Sequence, residues 1–192
     1  MKVGIGGPSS SGKSTFCFVL YRYLDRDSRI TVAYETLDVW DQTVDWLLDN
    51  TGEVERKNED ADRSDAVNQL TAVNGRCEDI VLCDLPGSLE PPIEDLVEPL
   101  DTIILLGHRE NTYELESWME LTREKNISIF SVIMTHLQDE PEAIWNPETK
   151  RGILRQLDRD TVAQTYLEGL PTDTLNSIQL ISSNLKRRSR TN

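Results

Sequence analysis

A glycine- and serine-rich octapeptide near the start of the chain has the residue types and the spacing of a phosphate-binding loop. It matches the pattern G-x-x-x-x-G-K-[ST] with Gly7, Pro8, Ser9, Ser10, Ser11, Gly12, Lys13 and Ser14. Glycines permit the tight turn that points backbone N–H groups at phosphate oxygens. The lysine neutralises the β- and γ-phosphates, and the hydroxyl is a Mg²⁺ ligand. We predict that residues 7–15, ending at Thr15, bind a nucleotide, that Lys13 acts in catalysis, and that Ser14 binds Mg²⁺.

The residues around this loop fit the same prediction. The run Met1–Gly6 is apolar and is typical of a buried strand. In the segment Ser14–Leu24, apolar residues at positions 16, 17, 20, 23 and 24 lie on one face of a helix with 3.6 residues per turn. The alternative is a chance match in a glycine-rich turn. A strand before the loop and a helix after it favour the phosphate-binding loop.

A second candidate group is Asp84, at the end of the apolar run Asp79–Asp84. A carboxylate at the tip of a strand beside the phosphate-binding loop is well placed to hold Mg²⁺, directly or through water. The run Asp84-Leu85-Pro86-Gly87 also fits the pattern D-x-x-G, whose glycine can sense a γ-phosphate. We predict a metal-binding role for Asp84. An ordinary strand-terminating turn is the alternative.

Three further residues are candidates because they follow predicted strands. Ligands of open α/β sheets lie at the carboxyl ends of the strands. Asp38 follows the second strand, and we predict that it is catalytic and accepts a proton from a substrate hydroxyl. A helix N-cap is the alternative, and Asp41 suits that role. Arg109 follows the fourth strand, and we predict that it neutralises phosphate charge in catalysis. Arg56, Lys57 and Arg63 are further candidates to neutralise that charge, and a solvated side chain is the plainer interpretation of each of the four.

The order of predicted elements indicates the fold class. Near-continuous apolar runs alternate with helical segments, which predicts a doubly wound, mostly parallel α/β sheet of five or six strands with helices on both faces. We expect a single domain over residues 1–192, with a flexible tail from about residue 186. The predicted strands are 1–6, 29–34, 79–84, 102–107 and 127–134, with a short late one at 153–157, and the predicted helices are 14–24, 42–48, 63–74, 92–98, 113–125, 161–167 and 174–186.

Composition limits the classes of partner. The 192 residues carry a net charge of −14, with a pI of about 4.5. A general nucleic-acid-binding protein would have the opposite balance. No apolar stretch is long enough to cross a membrane and no signal peptide is evident, so we expect a cytoplasmic protein with no membrane partner. The acidic surface, in which arginine outnumbers lysine, is also suited to a high-salt cytoplasm.

The loop, the element order and Asp84 together resemble the P-loop NTPase superfamily over roughly residues 1–135. Within it, the run Gly6–Thr15 is similar to small-molecule kinases such as uridine kinase, and this resemblance implies that Asp38 is the catalytic base. A second similarity is to the ATPase-like domain fused to a CRISPR-associated ring nuclease. The residues that carry it are Leu37–Trp40, Thr43, Trp46, Asp84–Gly87 and Glu114–Trp118.

These resemblances imply ATP and Mg²⁺ as cofactors. GTP is disfavoured because the base-reading N-K-x-D pattern is absent after the fifth strand, where the chain reads Thr135-His136-Leu137-Gln138-Asp139. Two functions follow. The first is a kinase whose partners are a nucleotide and a small-molecule acceptor. The second is a regulatory NTPase in which nucleotide state reorders the charged segment 52–62 and the turn at Asp84–Gly87 to act on a protein partner. Self-association, if any, is expected to give a homodimer. Lys150 and Arg151 are expected near the site, where P-loop proteins hold a base or a lid.

Overall fold

We describe the protein from a computed structural model that covers residues 1–41, 43–49, 60–136 and 142–191. Most of the charged segment 52–62, including the candidate phosphate ligands Arg56 and Lys57, lies outside these residues. Its end, at Asp62, caps the helix that follows: the carboxylate accepts hydrogen bonds from the backbone N–H groups of Ser64 and Asp65.

Seven strands form one sheet in the order β2-β3-β1-β4-β5-β7-β6. Six of them run parallel, and β6 pairs antiparallel with β7 at one edge. The order places the strand that precedes the phosphate-binding loop between β3 and β4, so the carboxyl ends of three strands surround the loop. The strands are β1 (Lys2–Gly6), β2 (Val32–Thr36), β3 (Ile80–Asp84), β4 (Thr102–His108), β5 (Ser128–His136), β6 (Ile144–Asn146) and β7 (Arg151–Arg155).

Helices cover both faces of this sheet, as the alternating sequence pattern predicts. One face carries a core with Phe16, Leu20 and Ile181, and the other carries a core with Leu96 and Trp118. All five side chains are 0–1% exposed, so each core is closed to water. The helices are α1 (Lys13–Asp25), α2 (Thr43–Leu48), α3 (Arg63–Gly75), α4 (Ile93–Val97), α5 (Thr112–Glu124), α6 (Arg159–Thr165) and α7 (Thr172–Ser189). None of the helices in the described ranges is long and apolar enough to cross a membrane.

The fold class agrees with the sequence prediction, and the number of strands differs from it. The additional strand, β6, was predicted as part of a long loop because it has only three residues and prolines and acids flank it. Its central residue, Trp145, is buried, and its indole Nε1 donates a hydrogen bond to Ser131 Oγ at 2.8 Å. This contact between distant residues cannot be inferred from the local sequence.

Candidate nucleotide-binding site

The backbone of residues 7–12 curls into a concave loop directly before α1. Three residues adopt left-handed conformations: Gly7 with φ 135°, Ser10 with φ 60° and Gly12 with φ 80°. Alternation of left- and right-handed residues turns successive N–H groups toward one point, which makes a binding site for an anion. Gly12 occupies the cap position of α1, and the first turn of that helix contains no acid, so its positive end faces the same point.

Glycine is required in this loop at Gly7. A Cβ atom there would overlap the carbonyl oxygen of Leu106 on β4, and the φ of 135° is strained for any other residue. The loop is held from the other side by β5, where Thr135 Oγ1 donates to the Ser11 carbonyl at 3.0 Å. The sheet therefore fixes the shape of the loop.

Lys13 is 6% exposed, and its Nζ donates a hydrogen bond to the Pro8 carbonyl at 3.1 Å. Burial lowers the pKa of Lys13, and the carboxylates of Asp84, Asp38 and Asp41 oppose that shift. An ammonium group beside the loop whose hydrogen bond, among the described residues, goes to a carbonyl can bind phosphate oxygens with little rearrangement.

Asp84 ends β3 immediately beside the loop and is completely buried. Neither carboxylate oxygen has a hydrogen-bond partner of good geometry among the described residues. Burial raises the pKa of Asp84 to about 7, and nearby Lys13 and the Ser14 hydroxyl lower it in part. A buried carboxylate without a partner is costly in a folded protein unless a ligand satisfies it.

The backbone of Asp84 also organises the loop that contains Asp38. The Asp84 carbonyl accepts hydrogen bonds from the N–H groups of Leu37 at 2.9 Å and Asp38 at 3.1 Å. Asp38 Oδ1 accepts a hydrogen bond from the N–H of Asp41, and the Asp41 carboxylate accepts one from the Thr43 hydroxyl at the start of α2. Asp38 and Asp41 are thus brought to the site by the residue predicted to bind metal.

The turn after β3 packs against the phosphate-binding loop itself. A Cβ atom on Gly87 would lie 2.8 Å from Cα of Ser9, closer than side chains normally approach. Gly87 is therefore the residue that allows the two loops to touch. Any ligand that moves the backbone at Ser9 must also move Gly87.

The three loops surround an open cavity of about 770 Å³. Seven of the residues that the sequence predicted to act here line it, namely Ser9, Ser10, Gly12, Lys13, Ser14, Thr15 and Asp38. Trp40 and Asp41 line it as well. Sequence reasoning missed the wall formed by Leu157, Asp158 and Arg159. These residues follow β7, so recognising β7 as a parallel strand of the same sheet would have placed them at this edge.

The structure places the other predicted residues elsewhere. Arg109 follows β4 but is exposed and does not line the cavity, so its catalytic role stays a prediction. Its neighbour Asn111 reaches the loop instead, with its amide donating to the Ser9 carbonyl at 3.4 Å. The structure does not bring Lys150 and Arg151 to the site: they lie at the amino end of β7, whose carboxyl end is Arg155, and neither lines the cavity.

The residues present suit a magnesium–nucleotide complex. Within the described parts of the chain, no group of three or more His, Cys, Asp or Glu side chains could hold a metal alone. Mg²⁺ commonly takes only one or two protein ligands and completes its shell with water and phosphate oxygens. Ser14 and the unsatisfied Asp84 are a donor set of that kind, and the concave loop provides the matching phosphate site.

No protein-family model matches the chain, and no curated protein matches it. Solved structures do. The septum site-determining protein MinD from Pyrococcus horikoshii OT3, complexed with Mg-ADP, is 15% identical, with 98% of this chain and 96% of that chain covered at a TM-score of 0.68. A putative plasmid partition protein from Borrelia burgdorferi B31, bound to AMPPNP, is 13% identical, with coverages of 97% and 98% and a TM-score of 0.63.

A third similar structure is the MinC:MinD cell division protein complex from Aquifex aeolicus, at 13% identity, coverages of 97% and 95%, and a TM-score of 0.67. It corrects the prediction of a small-molecule acceptor as partner. Similar structures include a cell division ATPase and a putative plasmid partition protein, and in the Aquifex complex MinD is bound to another protein, MinC. The similarity to uridine kinase and to the CRISPR-associated domain stays a prediction from the sequence. The chain has the P-loop NTPase fold, in the form shared by MinD and plasmid partition ATPases.

Proposed function

We propose that this protein is a cytoplasmic, Mg-ATP-dependent regulatory ATPase whose nucleotide state controls association with a protein partner. The observation that carries the proposal is the connection of three loops through Asp84. Its side chain is unsatisfied at the phosphate site, its backbone carbonyl holds the loop of Asp38, and the turn that it begins packs on Ser9 through Gly87. A change at the phosphate site is thereby transmitted to two surface loops.

In this proposal the phosphate-binding loop and Lys13 bind the β- and γ-phosphates, and Ser14 with Asp84 holds Mg²⁺. The metal ion supplies positive charge that neutralises the phosphate oxygens. Lys13 exchanges its hydrogen bond to the Pro8 carbonyl for one to phosphate. The carboxylate of Asp38, which lines the cavity, orients the attacking water during hydrolysis.

Nucleotide binding is tested by calorimetry with Mg-ATP. We expect Lys13→Ala to weaken binding by about a hundredfold or more, because a buried charge-assisted contact to phosphate is lost. Lys125→Ala is the matched control: this lysine pairs with Glu94 on the surface and lies outside the cavity, so binding should not change. Equal affinity in all three proteins would rule out the site.

Hydrogen exchange tests the switch. We expect the amides of residues 37–41 and 85–88 to exchange at different rates in the Mg-AMPPNP and Mg-ADP complexes, while those of β6 and β7 exchange alike in both. If both nucleotides protect the two loops equally, the protein binds nucleotide without switching. Asp38→Asn should leave AMPPNP affinity unchanged and slow hydrolysis about tenfold or more.

A partner is sought by capture on the immobilised full chain, loaded in turn with Mg-AMPPNP and Mg-ADP. We expect a protein that is retained in one nucleotide state and released in the other. A protein retained equally in both states, or retained equally by Lys13→Ala, would contradict nucleotide control of the association.

A further inference from the structure

A second cavity, of about 310 Å³, lies beside the amino end of β7, and none of its lining residues belongs to the nucleotide cavity. It opens between the turn that joins β6 to β7 and the last turns of α7. Its walls are Phe130, Trp145, Pro147, Lys150, Asn184, Arg187, Arg188 and Thr191. The proposed ATPase cycle makes no use of it.

The charge of this cavity is opposite to that of the protein. Lys150, Arg187 and Arg188 converge on it, and none of the described residues that line it is acidic. The chain as a whole carries −14. Three cations collected in one concave site of an acidic protein repel each other, so an anion that occupied the site would relieve that repulsion.

The end of α7 alone does not explain why three cationic side chains line this cavity. Basic residues in the last turn of a helix are favoured by the helix dipole, which accounts for Arg187 and Arg188. Lys150 belongs to a different element, the β6–β7 turn. Its backbone is left-handed, with φ 54°, although glycine or asparagine is the usual residue in that conformation. The turn is fixed because the Lys150 carbonyl accepts hydrogen bonds from Ser131 Oγ at 3.0 Å and Val132 N at 2.9 Å.

The cavity is also rigid. Phe130 and Trp145 stack with an interplanar angle of 7° and a centroid distance of 6.3 Å. Arg188 lies over this floor, 5.9 Å from the Phe130 ring centre, and one of its terminal nitrogens donates to Ser128 Oγ at 2.9 Å. A guanidinium held in this way loses little freedom when it binds an anion.

We propose that this second cavity is a binding site for a small ligand that carries a phosphate or pyrophosphate group. The volume is at the lower end of the range for ligand pockets, which suits a compact molecule. Two guanidinium groups and one ammonium group match the several oxygens of a phosphoryl group. The apolar floor of Phe130 and Trp145 can contact the non-phosphate part of the ligand.

The test uses the full ¹⁵N-labelled chain and inorganic pyrophosphate as the probe. Trp40 lines the nucleotide cavity and Trp145 lines the second one, so their indole N–H signals report the two sites separately. Trp145→Phe identifies the second signal. We expect saturable shifts of the Trp145 indole whose apparent Kd rises about tenfold in Lys150→Gln and in Arg187→Gln, with the Trp40 titration unchanged.

Arg190→Gln is the matched control, since Arg190 follows the same helix, is exposed and does not line the cavity. An equal loss of affinity in Arg190→Gln would indicate diffuse attraction and overturn the proposal, as would the absence of a saturable Trp145 shift. The Trp40 signal reports binding at the nucleotide cavity, so failure of the second site can be distinguished from failure of the proposed ATPase function. Lys150 and Arg187 are both exposed, so their substitutions leave the core intact. An unperturbed Trp40 indole signal is the check that each variant is folded.

Two further probes distinguish the source of the phosphate. Vesicles of phosphatidylcholine with phosphatidylglycerol test a lipid headgroup, and a short DNA duplex tests a nucleic-acid backbone. We expect pyrophosphate to shift the Trp145 indole N–H signal in the absence of both vesicles and DNA. Retention on vesicles or DNA that depends on Lys150 and Arg187, in the absence of any pyrophosphate shift, would replace a small ligand with a surface partner.

Discussion

Two aspartates at opposite ends of one strand show how differently the two edges of this sheet are built. Asp79 precedes β3 at the amino edge, and its carboxylate accepts hydrogen bonds from the N–H and the hydroxyl of Thr31 at 2.7 and 3.0 Å. Asp84 ends β3 at the carboxyl edge, buried and unsatisfied. Hydrogen bonds from Thr31 lower the pKa of Asp79, whereas burial raises that of Asp84.

The difference extends to the neighbours of both residues. At the amino edge the Thr102 hydroxyl donates to the Ser128 carbonyl, and the N–H of Lys2 donates to Asp101. At the carboxyl edge the Ser11 hydroxyl is buried without a partner among the described residues. Polar groups that stabilise the fold form hydrogen bonds within it, whereas those available to a ligand have no partner among the described residues. Around β3 and its neighbours, polar groups at the amino edge therefore stabilise the fold, whereas those at the carboxyl edge are available to the nucleotide site.

The largest effect on stability is expected from a substitution in the phosphate-binding loop, at the carboxyl edge of the sheet. Gly7→Ala places a Cβ atom against the Leu106 carbonyl at a φ of 135°, and we expect a loss of at least about 3 kcal/mol in the free energy of unfolding. Gly75→Ala is the control, because a Cβ atom there meets nothing within 4 Å. It should change stability by less than about 1 kcal/mol. Urea denaturation measures both, and similar values would contradict the assigned strain.

The next effect concerns the unsatisfied carboxylate. A carboxyl group with a raised folded-state pKa favours folding below its unfolded pKa, and this contribution is lost as pH rises toward about 7. Asp84→Asn should therefore leave the nucleotide-free protein more stable than wild type at pH 8, by on the order of 1–3 kcal/mol, with little difference at pH 4. The same variant should lose most of the additional stabilisation that Mg²⁺ gives with nucleotide. Thermal melts at the two pH values check both, and a pH-independent difference would contradict the assignment.

A smaller effect with the opposite pH dependence is expected at the amino edge. The lowered pKa of Asp79 means that its contribution is present above its unfolded pKa and is lost as pH falls through the folded value. Asp79→Asn should destabilise the protein at pH 7, by less than Asp84→Asn stabilises it at pH 8, because the hydrogen bonds that the carboxylate accepts weaken. In acid the variant and wild type should converge. Nucleotide affinity should not change, and a change in it would contradict the separation of the two edges.

The net charge of −14 is spread over many residues, so we expect each of them to contribute the smallest effect on stability. Screening of the carboxylates should raise the melting temperature as potassium chloride increases from millimolar to molar concentration, by about 2–4 °C for each 1 kcal/mol gained. The alternative is that the acids are already paired. Against it, the pair of Arg29 with Asp27 leaves the arginine 74% exposed, and such surface pairs contribute little. A melting temperature that stays constant or falls as potassium chloride increases would exclude adaptation to high salt.

Local patterns were sufficient to predict where the residues at the centre of the candidate site lie in the fold. The strand–loop–helix order around residues 7–14 and the strand that ends at Asp84 could be predicted because the spacing of a few consecutive residues determines their geometry. Strand β2 was predicted at 29–34 and lies at Val32–Thr36. The displacement has a non-local cause: Glu35 is buried because it pairs with Arg76, from the end of α3.

The outer parts of the site could not be predicted for the same reason. Leu157–Arg159 reach the cavity only because β7 pairs with β5, and β7 is in turn covered by the unpredicted β6. Lys150 was expected near the site and lies instead directly before β7, at the end of that strand away from Leu157–Arg159. Pairing between distant strands, which sets these positions, has no local sequence signal.

The short edge strand β6 has a consequence for how chains of this protein can aggregate. A strand at the border of a sheet exposes unpaired backbone groups on which another polypeptide can extend the sheet. At one of the two borders of this sheet that strand is β6, only three residues long, although its Ile144 is 63% exposed. An incoming strand would find too few backbone partners for a stable ladder. Misassembly through this border, as in amyloid-like growth, should therefore require β6 to detach first and uncover the five residues of β7.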